Sequence, residues 1–367
     1  MGNKILVIAD DLTGAGDIAY WALEKNLKVI IDVNNIENEF PKNADVLIKN
    51  TNTRHSAVDK AYKSVFDICV WARSQKIKYV YKKIDSALRG NFVREIDAVC
   101  DALSITFMPL VAAFPEQGRT TKNGHHFING ILINKSEFSK DPKAPVTESY
   151  IPGFIKRASG NADRITVYDA ETSGDMQNIV NKIDLTRRNM PGGYCSASGA
   201  SRFFGELLKT WTIPHRKEKE FSIDGFDCIV IICGSVNPAS RRQAEFLIAE
   251  KELEIKETTL GYDYYSKENM YLCITPDNKL RKFDLSLIAI KTQNILKNVK
   301  KPLIIVCGGD TARAVCGQLK INILEGIQGI APGIITAKDI SSAKYIILKP
   351  GGFGEKNLLV NLIKGGL

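Results

Sequence analysis

The chain has 367 residues, a formal net charge of +9, 44% hydrophobic residues and 25% charged residues. This composition excludes a wholly disordered chain and allows two or three domains with buried cores. The positive charge suits an anionic ligand, but no long block of like charges gathers it, which argues against a nucleic-acid patch.

No apolar run is long enough to span a membrane, and the opening MGNKILVIADDLTGAGD is not expected to act as a secretory leader. The 8 cysteines form no Cys-x-x-Cys pair and there are only 4 histidines, so a zinc site is not expected. Apolar settings such as those of Cys228 and Cys307 suggest reduced core thiols of a cytoplasmic protein.

Strand-length apolar runs predict strands at Ile5–Ala9, Lys28–Val33, Val46–Lys49, Tyr79–Lys82 and Thr106–Ala113. Helices are predicted between them at Gly16–Lys25, Ala57–Gln75 and Phe92–Leu103. In the second helix Ala61, Val65, Ile68 and Ala72 recur at helical spacing, and Ser56 stands where a cap is expected. The stretch Phe114–Glu148 is rich in Gly, Pro, Thr and Asn and holds His125 and His126. It reads as a long functional loop with a short hairpin around His126–Ile133.

Alternation resumes with a strand at Arg164–Asp169, a helix near Asp175–Ile183 and a Gly-rich segment at Pro191–Ala200. The charged segment His215–Glu220 is expected to link two domains, 1–224 and 225–367. Beyond it come a strand at Cys228–Ile232, helices at Ala239–Glu250 and Leu285–Asn298, a strand at Leu303–Cys307, a helix at Thr311–Leu319 and a strand at Lys344–Leu348. The pattern predicts an α/β protein of two domains, each with a mostly parallel sheet flanked by helices.

Three strands of the second half end in glycine-rich turns: Cys233-Gly234-Ser235, Cys307-Gly308-Gly309-Asp310-Thr311, and Lys349-Pro350-Gly351-Gly352-Phe353-Gly354. Glycine lets a backbone approach a ligand, and helix starts offer N–H groups to phosphate, so three such turns on one edge suit a nucleotide. The P-loop and protein-kinase motifs are absent.

The first half carries the carboxylates. Asp10-Asp11-Leu12-Thr13-Gly14-Ala15-Gly16-Asp17 and Lys82-Lys83-Ile84-Asp85-Ser86-Ala87-Leu88-Arg89-Gly90 both follow strand ends and can share a cleft. Arg and Lys fit a substrate carboxylate, and an Asp can receive the proton of a nucleophilic hydroxyl. Asp10 and Asp11 leave the strand together, so they are expected to point opposite ways, with Asp11 facing the cleft. The bland reading of Lys82 and Lys83 is that both are solvated at the surface.

Gly14-Ala15-Gly16-Asp17-Ile18-Ala19 also matches a dinucleotide fingerprint, with Asp32 at the end of the second strand in the ribose-binding position. Asp10 and Asp11 stand where the pyrophosphate would lie and would repel it. An NAD(P)-dependent oxidoreductase is therefore the alternative reading.

Taken in order, six segments resemble the four-carbon acid sugar kinases, which phosphorylate tetronates such as threonate, erythronate and 3-oxo-tetronates. The segments are Ala9–Ala15, Lys83–Gly90, Ala113–Thr121, Cys233–Ser235, Gly308–Ala312 and Lys349–Gly354, and the resemblance covers nearly the whole chain. It implies that 1–224 binds the acid sugar and 225–367 binds ATP, with Mg²⁺ bridging the phosphates and the terminal hydroxyl as acceptor. Ser235, Gly308, Gly309, Asp310, Thr311, Gly351 and Gly352 would contact ATP. Asp10, Lys83, Ser86, Arg89, Gln117, Arg119 and Thr121 would face the sugar acid, with Asp11 and Asp85 as the catalytic carboxylates.

No residue is assigned to a protein-held metal. Some members carry Ser and Asn where this chain has Pro350 and Gly352, so those two side-chain contacts are not expected here. The expected partners are the sugar acid and ATP, with no nucleic acid, no membrane, and a homodimer left open. A non-catalytic sensor of sugar acids or nucleotides stays beside the oxidoreductase as an alternative.

Overall fold

The computed structural model describes residues 3–141, 143–188, 193–211, 221–223, 225–235, 237–251, 254–258, 261–265, 270–275, 284–342 and 344–364. The charged segment 215–220, the first two residues of the Gly-rich segment 191–200 and the boundary residue 224 lie outside the described residues. The chain divides into two compact units, Met1–Val29 with Glu37–Arg216, and Ile30–Ile36 with Lys217–Leu367.

In the first unit six strands run parallel in the order Val46–Asn50, Ile5–Ala9, Tyr79–Lys83, Cys195–Gly199, Met108–Val111, Ile165–Val167. Ile5–Ala9 is buried along its whole length, as a strand covered on both faces must be. Helices Leu12–Leu23, Val58–Ser74 and Phe92–Leu103 follow successive strands. Val58–Ser74 buries Ala61, Val65, Ile68, Cys69 and Ala72, its apolar stripe.

Ser56 does not cap that helix. Ala57 occupies the cap position and the Ser56 hydroxyl donates to the Asn52 carbonyl at 3.5 Å. Register aligns the carboxyl ends: Ala9 lies beside Asn50, and Gly199 beside both Lys83 and Val111. The segments that follow these strands therefore emerge on one edge, where parallel sheets place their ligands.

The long loop holds more order than expected. Arg119–Lys122, His125–Ile128 and Ile131–Leu132 form a separate antiparallel sheet. Asn123-Gly124 and Asn129-Gly130 join its strands, all four with positive φ, as two-residue hairpin turns require.

In the second unit Met270–Ile274, Cys228–Cys233, Pro302–Cys307 and Tyr345–Lys349 form the parallel centre. Antiparallel strands extend it on both sides. Gly261–Tyr265 and Glu254–Thr258 lie beyond Met270–Ile274, while Ile334–Asp339 and Ile323–Ala331 lie beyond Tyr345–Lys349. Strand Val29–Asp32 pairs with Ile323–Ala331 through Ile30, Ile31 and Asp32. The core is built on Ile231, Leu247, Leu272, Ile305, Ile347 and Leu359. No described helix is long and apolar enough to cross a membrane.

Candidate active site

Asp10 and Asp11 follow the first strand, and both carboxylates turn toward one guanidinium. Arg54 Nε and Nη2 donate to Asp10 at 2.8 and 2.9 Å, and Nη1 and Nη2 donate to Asp11 at 2.7 and 2.8 Å. The two side chains thus converge rather than diverge. Adjacent carboxylates repel, and the planar fork of a single Arg can pair with both at once and offset part of that repulsion. Burial would raise the Asp10 pKa, but the Arg54 charge and its hydrogen bonds outweigh it and hold the carboxyl below its ordinary value.

Asp11 also caps helix Leu12–Leu23, accepting the Gly14 N–H and the Thr13 hydroxyl, each at 2.7 Å. Its side chain is 16% exposed against 4% for Asp10.

Arg54 was not among the sequence-derived site residues. It sits in the polar turn after Val46–Asn50, which carries no hydrophobic period. That turn is braced from several sides. The Thr53 N–H donates to the Asp10 carbonyl at 3.0 Å and its hydroxyl to Glu95 at 2.5 Å. Asn91 donates to the Thr53 and Ser56 carbonyls at 3.1 and 2.9 Å. At Gly90, with φ +85°, a Cβ would stand 3.0 Å from the Arg54 carbonyl oxygen, so this close approach requires glycine.

Asp85 pairs with Arg89 at 2.5 Å, and Arg89 pairs with Asp141 at 3.0 Å. Asp141 is itself held by the Lys143 and Ala144 N–H groups, each at 2.9 Å. Burial opposes ionisation of Asp85, yet Arg89, then Arg54 and Lys83, keep its carboxyl well below the usual range. Lys82 and Lys83 are buried, not solvated, because they end a strand flanked on both sides. Lys82 pairs with Glu95 at 2.9 Å and Lys83 with Asp17 at 3.4 Å. Burial raises the Asp17 pKa against the pull of Lys83.

Gln117 lies in the turn Pro115–Gln117 just before the hairpin, and Arg119 and Thr121 lie on its first strand. Arg119 Nη1 donates to the Gln117 carbonyl at 2.9 Å, and its charge acts on Asp17. Thr121 has a different part from the one expected: it is fully buried, with its hydroxyl 3.0 Å from His126 Nδ1. His126 Nε2 lies 2.9 Å from the Ser86 carbonyl. A carbonyl only accepts, so Nε2 carries the proton and Nδ1 accepts from Thr121. Burial pushes the His126 pKa down to about 4, which keeps the ring neutral. His126 thereby ties the hairpin to the Asp85–Arg89 turn.

The dinucleotide reading fails on geometry. The helix begins at Leu12, so Gly14 and Gly16 are buried inside it and no open glycine turn remains. A Cβ at Gly14 would stand 2.6 Å from Asp11 Oδ1. Asp32 is fully buried in the second unit, where it accepts the Ile36 N–H at 2.9 Å.

In the second unit Cys233 lies beside Cys307, and Cys307 beside Lys349, so the three glycine turns leave the sheet as neighbours. Ser235 sits among them. A Cβ at Gly308 would come within 3.2 Å of Ser235 Cβ, and one at Gly351 would collide with Ser235 Oγ. Gly308, at φ +102°, starts helix Gly309–Gln318 and donates its N–H to the Lys349 carbonyl at 2.8 Å. The first turn of an α-helix such as this one points its N–H groups outward, which suits a phosphate. The Thr311 side chain is buried against Gly234.

Two residues of helix Pro238–Lys251 that no motif marks hold the third turn. Ser240 donates to the Gly351 carbonyl at 2.7 Å, and Gln243 to the Phe353, Gly354 and Glu355 carbonyls at 3.0, 2.7 and 3.0 Å.

Residues 5–165 match the sugar-binding N-terminal domain family, and residues 285–359 match the nucleotide-binding C-terminal domain family. The chain is 24% identical to a D-threonate kinase of Salmonella typhimurium strain LT2, over 98% of this chain and 97% of the relative. It is 34% identical to a 3-oxo-tetronate kinase of Escherichia coli strain K12, over 42% of this chain and 41% of that one. A Salmonella typhimurium LT2 crystal structure, named provisionally as a tRNA synthase, superposes with a TM-score of 0.76 at 20% identity and covers 100% of both chains. At that identity the superposition speaks for the fold alone.

Proposed function

The chain belongs to the four-carbon acid sugar kinases, and from that premise we propose that it transfers the γ-phosphoryl group of ATP to the terminal hydroxyl of a four-carbon aldonate. The observation that carries the nucleotide half is Ser235 lodged among three glycine turns on adjacent parallel strands. Backbone there can approach a polyphosphate, with the start of helix Gly309–Gln318 donating. Magnesium enters as part of the nucleotide substrate, since Mg²⁺ is held largely by phosphate oxygens and water.

The sugar acid belongs with the first-unit cluster. Arg89 keeps a 24% exposed side chain, and we assign the substrate carboxylate to it and to Arg119. The hydroxyls fall to Asp10, Asp11 and Ser86, with Lys83 supporting from below. Asp11 is the more exposed carboxylate of its pair and receives the attacking hydroxyl. Phosphoryl transfer runs through a loose transition state, so orienting that hydroxyl and balancing charge matter more than stripping its proton early. Asp85, held ionised by Arg89 and Arg54, is a weak base and serves to fix Arg89.

Incubation with ATP, magnesium and a tetronate should give ADP and a phosphate ester at the terminal carbon, visible by phosphorus NMR. Binding of both substrates with no ester would make the chain a sensor, and release of free phosphate alone would contradict the transfer.

A further inference from the structure

Lys349 ends the strand Tyr345–Lys349, directly before the Pro350-Gly351-Gly352 turn, and its side chain is fully buried. Its ammonium donates to the Pro350 carbonyl at 2.9 Å and, at 3.4 Å, to the Ser240 hydroxyl. Both partners are neutral. Its charge acts on the buried Cys233 and Cys307 thiols, and the pKa of Cys307, hydrogen-bonded to Cys233, is lowered to about 7. Among the described residues no carboxylate lies within ion-pairing distance of the ammonium. Lys82 and Lys83, equally deep in the first unit, each have one: Glu95 at 2.9 Å and Asp17 at 3.4 Å. A buried ammonium without an opposite charge is costly, and a chain that keeps one has a use for it.

Gly351 and Gly352 have no side chains, and Gly352 is exposed. Pro350 has no N–H, so this turn offers an anion few donors of its own. Ser240, the ammonium's second partner, also holds the Gly351 carbonyl, and Gly351 packs against Ser235. Lys349 is thus one residue from the point where the three turns meet.

We propose that the Lys349 ammonium is the counter-charge for the nucleotide's phosphates, an assignment that rests on the nucleotide reading above. The charge is built into the floor of the site, and ATP supplies the missing anion. Adenosine, which has no phosphate, gains nothing from it.

The test is titration calorimetry of ATP, ADP and adenosine into the full chain and into Lys349→Met, with the melting temperature of each protein free of ligand. Removing a charge-assisted hydrogen bond should weaken ATP at least about tenfold. Adenosine affinity should stay within about twofold, the loss for ADP should fall between, and the ligand-free variant should melt no lower than wild type because an unpaired buried charge has gone. Unchanged ATP affinity, or equal losses for ATP and adenosine, would overturn the assignment. So would failure of both Lys349→Met and Lys349→Gln to fold, which would make the lysine structural. A wild-type chain that binds none of the three ligands would instead remove the nucleotide reading itself.

Discussion

Asp11 does two jobs that a single substitution can separate. As the cap of helix Leu12–Leu23 it accepts an N–H, and as the more exposed partner of Arg54 it is the carboxylate we propose for the attacking hydroxyl. Asn caps about as well as Asp, so Asp11→Asn should leave the fold intact. Turnover with a tetronate should nevertheless fall by about 10²–10⁴, the usual loss when the group that orients and finally accepts the reacting proton is removed. ATP affinity should not change, and Asp85→Asn is the paired control. Near-full turnover in Asp11→Asn beside an inactive Asp85→Asn would exchange the two roles.

Arg54 is the residue whose loss should hurt stability most. Arg54→Met strands the largely buried carboxylates of Asp10 and Asp11, and breaking a buried pair costs about 3–5 kcal/mol. Urea unfolding should show it, and a loss below about 1 kcal/mol would mean that water already screens the clasp. Asp10 and Asp11 stood out in the sequence as adjacent acids at a strand end. Arg54 did not, because one basic residue in a short polar turn has no period or spacing to mark it.

At the scale of elements, His126 fastens the hairpin to the Asp85–Arg89 turn as a neutral ring. Its pKa is about 4 in the fold against 6.5 for an ordinary histidine. A depressed histidine binds its proton more readily in the unfolded chain. Burial, not the bond to Ser86, opposes the charged ring, so the stability held by the neutral ring is complete above about pH 6.5 and is lost as the pH falls toward 4. At about 1.36 kcal/mol per unit, roughly 3 kcal/mol depends on this ring. Unfolding midpoints measured from pH 7 to pH 4.5 should fall more steeply in wild type than in His126→Phe, and parallel curves would refute the assignment.

In the second unit, Gly351→Ala would push its methyl onto Ser235 Oγ. ATP affinity should drop at least tenfold, about 1.4 kcal/mol, with the melting temperature little changed. Equal ATP affinity in the two proteins would place the nucleotide elsewhere.

The parallel strands were legible because each is a short apolar run ending in a distinctive turn. The hairpin was only half legible. Its two Asn-Gly pairs mark the turns, but the polar strand Arg119–Lys122 offers no apolar alternation to join them. The strands Ile323–Ala331 and Ile334–Asp339 escaped because register shifts between Gly326 and Gln328, and again between Gly329 and Ala331, break the two-residue period.

Each of the two units has parallel strands whose carboxyl ends come together on one edge, and it is to these edges that we assign the chemistry. In one unit that edge gathers carboxylates and guanidinium groups. In the other it gathers glycines, a serine and a buried lysine. The strand that contributes Ile30–Asp32 to the second unit looks in sequence like its neighbours in the first. Its destination is fixed by a partner almost three hundred residues later (323 − 32 = 291), which no local pattern can announce.

We propose transfer of phosphate from ATP to a four-carbon sugar acid. Its most direct test is a coupled assay of ADP release with magnesium, run over both enantiomers of threonate and erythronate and over the 3-oxo-tetronates. At least one of them should raise ADP release far above the rate with water alone, and Asp11→Asn should remove the increase. A chain shown to bind ATP that releases no more ADP with any tetronate than without would contradict it.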